Sequence, residues 1–144
     1  MRKNTTKPKH LRVGVAIVLD DKGRVLVNHR PDEGYYGGWW EWPGGKCERG
    51  ETPKACARRE LREEIGIAVG EMKPFGVERA EYPGRIVKVH FFLCKKKKGS
   101  RAKRDALEHR WLAPEKISKL KFLEANLPVL RRLILHAKKP IFPA

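Results

Sequence analysis

The chain has 144 residues, long enough for one domain with its own core, and three scattered cysteines (Cys47, Cys56 and Cys94) with no CxxC pair. That pattern argues against a disulfide framework and for a reducing, cytoplasmic setting; the first apolar run, Val13 to Leu19, is too short to cross a bilayer, and no signal peptide is visible. The net charge of +16, with four positive charges in MRKNTTKPKH and seven in KKKKGSRAKR, points to anionic partners: nucleotides, nucleic acid or anionic lipid.

Residues 1–10 read as a basic flexible tail, and residues 11–144 as a single domain. Leu11 to Leu19 is β-rich and, from Val13 on, continuously apolar, which predicts a buried strand. A turn at Asp20 to Gly23 leads into Arg24 to Arg30, its hairpin partner, and PDEGYYGGWWEWPGG reads as an aromatic loop. One helix follows from Pro53 to about Ile65. Two strands are predicted near Phe75 to Tyr82 and Ile86 to Cys94, joined by the basic run Lys95 to Arg104 to a short strand at Arg110 to Leu112. A helical turn from Pro114 and a last helix, Leu127 to Ala137, end the chain. This order predicts an α/β fold in which a mixed sheet lies between helices.

The helix from Pro53 is sharply bounded. Thr52 is a good N-cap, Pro53 suits the first helical position, and Gly66 can stop the helix with a positive φ. Within it Glu60, Glu63 and Glu64 stand at i, i+3 and i+4, so their carboxylates share a side. Like charges at that spacing cost roughly 0.2–0.5 kcal/mol per pair. Carboxylates in a last turn also oppose the helix dipole, at roughly 0.3–1 kcal/mol. Two explanations fit: a solvated face paired to Arg58, Arg59 and Arg62, or a site for a hard divalent cation such as Mg²⁺ or Mn²⁺. Upstream, Gly44-Gly45 lets the backbone approach a ligand, Glu51 adds a fourth acid, and Arg59 can orient a carboxylate by a charge-assisted hydrogen bond. Those neighbours favour the cation and a phosphoanhydride substrate.

Gly45, Glu51, Arg59-Glu60, Leu61, Glu63-Glu64, Gly66 and Ile67 fill all nine fixed positions of the pattern Gx5Ex7REUxEExGU, with U aliphatic. This stretch resembles the Nudix box. The resemblance implies the Nudix fold and a divalent metal held by the carbonyl of Gly44 and by Glu60, Glu63 and Glu64. It also implies Glu60 as base or bridging ligand, Arg59 orienting it and Glu51 in support. From about Val13 to Leu135 the chain is similar to the MutT branch, which removes oxidised guanine nucleotides. WEWPGGK, containing Lys46, matches its aromatic-Pro-Gly-Gly-Lys segment. Arg30 stands where that branch places a phosphate-binding arginine, and EYPGR places Tyr82 and Arg85 in its turn beside the base. EANLPVL supplies Asn126 as purine reader, although Asn126 before Leu127-Pro128 also fits a helix N-cap. Tyr82 and Arg85 equally fit a simple turn.

The chain departs from that branch in the loop before Trp111, where either Asp105 or Glu108 takes the place of its glutamate as a further metal or base group. The run Lys95 to Arg104 has no counterpart there and reads either as a solvated loop or, with the N-terminal tail, as a seat for nucleic acid. The expected activity is Mg²⁺-dependent hydrolysis of a nucleoside triphosphate, such as 8-oxo-dGTP, to monophosphate and pyrophosphate. Alternatives are an RNA 5′-end or dinucleoside polyphosphate pyrophosphohydrolase and, against the intact box acids, a non-catalytic nucleic-acid-binding Nudix module. Nothing in the sequence specifies an oligomeric state.

Overall fold

The computed structural model describes residues 7–31 and 36–137. Seven strands form one mixed sheet: β1 (Lys9–Leu19), β2 (Val25–His29), β3 (Trp40–Glu41), β4 (Gly44–Lys46), β5 (Lys73–Tyr82), β6 (Arg85–Lys95) and β7 (His109–Leu112). The helices are α1 (Pro53–Glu64), α2 (Pro114–Ile117) and α3 (Leu127–His136), with a 3-10 turn at Glu124–Asn126 before α3. β1 is central. It pairs in parallel with β6 from Lys9↔Arg85 to Leu19↔Lys95, and β5 pairs antiparallel with β6 beyond it.

Strand alternation in β1 explains why its sequence is apolar on both sides. Val15, Ile17 and Leu19 join the core under α3 with Trp40, Trp42, Phe91 and Leu133. Ala16 and Val18 join a second core under α1 with Leu61, Ile65 and Phe92. A strand buried on two faces has no polar alternate positions to show.

Three expectations change. The strand begins at Lys9, so Lys9 and His10 belong to the sheet rather than to a tail; Lys9 N–H also donates to Gly84 O at 3.0 Å. Residues 1–6 lie outside the described chain. β2 is a hairpin partner of β1 only at Leu19↔Val25, after which it pairs with β7 and β3. The edge of β1 passes to β4, through Val13↔Lys46 and Val15↔Gly44. The aromatic loop therefore contains two short strands. Its residues 32–35 lie outside the described chain, as do residues 138–144.

The basic run is not a simple solvated connector. Lys95 completes β6, and the loop after it is fastened to the end of α1 and the residues that follow it. Lys97 N–H donates to Ala68 O at 2.9 Å, Lys103 N–H to Ile65 O at 2.8 Å and Leu107 N–H to Glu64 O at 2.9 Å. Ala102 and Leu107 pack against the α1 core, while Lys97, Lys98, Arg101, Lys103 and Arg104 stay exposed. Among the described residues no helix is long and apolar enough to cross a membrane.

Candidate active site

α1 forms as its caps predict. Thr52 Oγ1 accepts from Ala55 N–H at 3.1 Å, Pro53 opens the helix, and Gly66 follows it at φ 85° with its N–H on Leu61 O. Cys56, Ala57 and Leu61 face the sheet, so Arg59, Glu60 and Glu63 are turned toward β4 and solvent. Close approach of helix and sheet needs Gly14, where a Cβ would collide with Pro53 O and sit 2.8 Å from Ala57 N; the room left for the Glu60 carboxylate needs Gly45. A Cβ there would sit 2.5 Å from Cδ of Glu60, so any side chain would displace that carboxylate.

Arg59 is the hub. Its Nε and Nη2 bind Glu51 at 2.7 and 2.9 Å, its Nη1 reaches Glu60 at 3.0 Å and Glu63 at 3.2 Å, and Nη2 also donates to Lys46 O at 3.1 Å. The bidentate contact from Arg59 holds Glu51 down at about 2, and hydrogen bonding to Glu51 keeps the guanidinium well above its ordinary value. Arg59 stays charged and oriented, and it presents Glu60 to the space beside Gly45.

Glu64 faces a cavity of about 400 Å³ lined by Arg30, Pro31, Glu41, Gly44, Glu63, Glu64, Asp105 and Leu107. Its Oε1 accepts from Gly44 N–H at 3.0 Å. Burial, then the nearby Glu41 carboxylate, push Glu64 up to about 8 against that hydrogen bond. Burial likewise raises Glu41, whose Oε1 meets Arg30 Nη1 at 2.9 Å and whose Oε2 accepts from Asn28 Nδ2 at 3.4 Å. Among the described residues no three acids converge closely enough, as they stand, to enclose a cation. The contacts above give the reason: Arg59 draws Glu60 and Glu63 to itself, and Gly44 N–H holds Glu64. The donor set nevertheless fits a hard divalent ion. It is all oxygen, it is crowded with like charge, and its buried member resists ionising without a counter-charge.

The sequence-predicted residues divide into groups. Arg30, Gly44, Glu63, Glu64 and Asp105 share the cavity, with Glu60, Arg59 and Glu51 adjoining it through Gly45 and Glu63. Of the two candidates before Trp111, Asp105 reaches the cavity rim. Glu108 lies instead beside His29, at 3.5 Å from Nδ1. The Lys46 side chain is exposed past Arg59. Tyr82 and Arg85 stack at the β5–β6 turn, 5.0 Å apart, six residues along β6 from the Phe91 that pairs with Val15. That is roughly 20 Å from the carboxylates. Asn126 is 6% exposed on the α3 side of the sheet, near the β3 contacts Leu123 N–H to Trp40 O and Trp40↔Phe122, and makes no side-chain cap hydrogen bond. Asn126 thus stands at the N-cap position of α3 without its side chain capping the helix.

Glu41 was missed in the sequence. Its signal was the alternation in Trp40-Glu41-Trp42: both tryptophans enter the α3-side core, which sends the residue between them to the carboxylate side.

A NUDIX domain model matches residues 8–133. The chain is 38% identical over 85 residues to an 8-oxo-dGTP diphosphatase of Proteus vulgaris, covering 59% of this chain and 76% of that protein. It is 29% identical over 125 residues to the 8-oxo-dGTP diphosphatase of Escherichia coli (strain K12), covering 87% and 97%. It is 31% identical over 130 residues to a CTP pyrophosphohydrolase of the same organism, covering 88% and 94%. Among solved structures, the E. coli ORF135 protein superposes with a TM-score of 0.71 at 28% identity over 94% of this chain and 96% of that one. A MutT from work on Aliivibrio salmonicida and Vibrio cholerae gives 0.69 at 29% identity over 89% and 99%.

Proposed function

The chain belongs to the Nudix family as a MutT-like member, and on that premise we propose that it hydrolyses a nucleoside triphosphate, with 8-oxo-dGTP the leading substrate, to the monophosphate and pyrophosphate. The observation that carries this is the meeting of Glu63, Glu64, Gly44 and Arg30 in one cavity, with Arg59 and Glu60 beside it. Glu60, Glu63, Glu64 and the carbonyl oxygen of Gly44 would hold a divalent ion, Mg²⁺ or Mn²⁺. Such an ion acidifies water and offsets charge on the phosphates when bound. Arg59 fixes the Glu60 carboxylate in the orientation needed to take a proton from the attacking water. Arg30 presents its guanidinium to the phosphates, and Asp105 at the rim supplies the further acid. Water adds to one phosphorus of the α–β phosphoanhydride, that bond breaks, and the other fragment leaves with its electron pair, giving monophosphate and pyrophosphate. Asn126, buried and making no capping hydrogen bond, would offer a donor and an acceptor to a purine edge.

The test is product analysis with Mg²⁺ at one salt concentration. It offers dGTP, 8-oxo-dGTP, CTP, diadenosine polyphosphates and 5′-triphosphate RNA in parallel. Monophosphate plus pyrophosphate, fastest from the 8-oxo nucleotide, supports the proposal. A second reading, an RNA 5′-end pyrophosphohydrolase, draws support from the fastened basic loop, whose Asp105–Leu107 end enters the same cavity. Pyrophosphate release from RNA alone would favour it.

A further inference from the structure

The three arginines of α1 divide. Arg59 pairs with Glu51, Glu60 and Glu63. Arg58 and Arg62, one turn apart and exposed, instead line a separate cavity of about 310 Å³ with Lys97 of the basic loop, over a floor that includes Leu61, Ile67 and Val69. Like charges one turn apart oppose each other, and a third cation from a distant segment adds to the repulsion. Among the described residues no acid lines this cavity and none of these three cations makes an ion pair, whereas Arg24, Arg30, Arg79 and Lys103 each sit beside an acid. Arg58 Nη2 donates to Gly70 O at 3.2 Å, which steadies the guanidinium and leaves the rest of its fork of donors for a ligand. The apolar floor offers no competing acceptor and strengthens attraction for an anion above it.

The cluster is held by backbone. Lys97 N–H donates to Ala68 O at 2.9 Å, and Ala68 N–H returns a bond to Ser100 Oγ at 2.8 Å. The same loop then runs back along the end of α1, from Lys97 at Ala68 to Leu107 at Glu64, and there Asp105 and Leu107 line the catalytic cavity. The backbone from Glu64 to Ala68 spans at most about 14 Å, so the two cavities lie a short way apart along one strip of surface.

We propose that the cavity between α1 and the basic loop is a nucleic-acid-binding groove, in which phosphates of a single-stranded RNA lie on Arg58, Arg62 and Lys97. A strand repeats its charge along its length and so matches a row of cations from two segments. A bilayer surface is flat and cannot enter a cavity, and a groove of this volume takes one backbone rather than a duplex. This binding goes beyond the hydrolysis proposed above and does not depend on which nucleotide the catalytic cavity cleaves.

The test is fluorescence anisotropy on the full chain with a 3′-labelled, 5′-hydroxyl single-stranded RNA of about ten nucleotides, in EDTA, so that nothing is hydrolysed. Arg58→Gln/Arg62→Gln/Lys97→Gln should weaken binding at least about tenfold at about 0.1 M salt. It should also lower the slope of log Kd against log salt by about 2, the value for three lost phosphate contacts on a single strand. Arg62→Gln/Lys97→Gln, which spares the Arg58 contact with Gly70, should lower the slope by about 1.4. Lys88→Gln/Lys116→Gln/Lys119→Gln removes the same charge from exposed residues outside the groove and should change Kd by less than about threefold. An equal loss in that control would mean that net charge alone attracts RNA, and overturns the inference, as does an unaltered protein that binds no RNA. Inorganic tripolyphosphate that displaces the labelled strand as well as unlabelled RNA does, at matched phosphate, would make the groove a small-anion site and overturn its assignment to nucleic acid. Product analysis tests the hydrolase reading separately, and these outcomes leave it standing.

Discussion

Replacing Glu64 by glutamine should make the metal-free protein more stable at alkaline pH while abolishing turnover. The carboxyl rises from an ordinary 4.5 to about 8 on folding because it is buried and faces Glu41, Glu60 and Glu63. For a group raised on folding, the native state holds a proton that the unfolded chain has released between those two values. Stability is therefore lost as pH climbs from 4.5 through 8, and the loss is constant above. Each tenfold in proton affinity is worth about 1.4 kcal/mol, which sets a ceiling of roughly 5 kcal/mol. Partial access to water and local relaxation lower this, and a gain of roughly 1–2 kcal/mol is expected in Glu64→Gln at pH 8.5. Glutamine keeps an acceptor for Gly44 N–H, so that contact survives. The assay is thermal unfolding in EDTA from pH 5 to 8.5. The variant should melt roughly 3–8 °C higher at pH 8.5, with most of the gain gone at pH 5. Mg²⁺ should raise the Tm of the unaltered protein and leave that of the variant nearly unmoved. A variant no more stable than the parent at pH 8.5 would show that Glu64 ionises without strain, and the account of this cavity as a cation-seeking cluster would be refuted.

Gly45→Ala should remove nearly all turnover, because its Cβ meets the Glu60 carboxylate, while circular dichroism stays close to the parent's. Asn126→Ala should reduce discrimination between 8-oxo-dGTP and other triphosphates, read as the ratio of kcat/KM values; a fall in Tm with unchanged discrimination would sink the base-reading role. Neutralising Lys97, Lys98 and Arg101 to glutamine should leave small-nucleotide kcat within about twofold, since none of the three lines the cavity, and should flatten the salt dependence of any RNA binding measured by fluorescence anisotropy. Substitution serves here because Lys95 closes β6 and Lys97 N–H is tied to Ala68 O, so the backbone of the run must stay in place.

Turn by turn along α1, the fold and the site could be read in advance. Thr52, Pro53 and Gly66 act on the backbone within a few residues of themselves, and the spacing of Glu60, Glu63 and Glu64 fixes their common side whatever the helix packs on. Strand β6 was legible for a similar reason, its apolar and β-branched content being local. The exchange of β1's edge from β2 to β4 was not. It depends on which segment reaches that edge, and the glycines that let Gly44-Gly45 lie there have no side-chain pattern to show.

The sequence alone determined that this protein carries a capped helix with three carboxylates on one side, preceded by a glycine pair and a fourth acid. Those are properties of spacing, and helical geometry converts spacing into direction without help from the rest of the chain. Only the tertiary structure decided which other groups stand opposite those carboxylates. Glu41 enters the cavity because its tryptophan neighbours are drawn into the core on the far face; Arg30 reaches it because β2 pairs with β3; and Asp105 arrives because the basic loop is tied to Ile65 and Glu64. Tyr82 and Arg85 stand apart from the carboxylates because the β5–β6 turn lies at the other end of β6. Such placements come from contacts between residues distant in sequence, where burial and pairing of whole strands outweigh anything a single segment can specify.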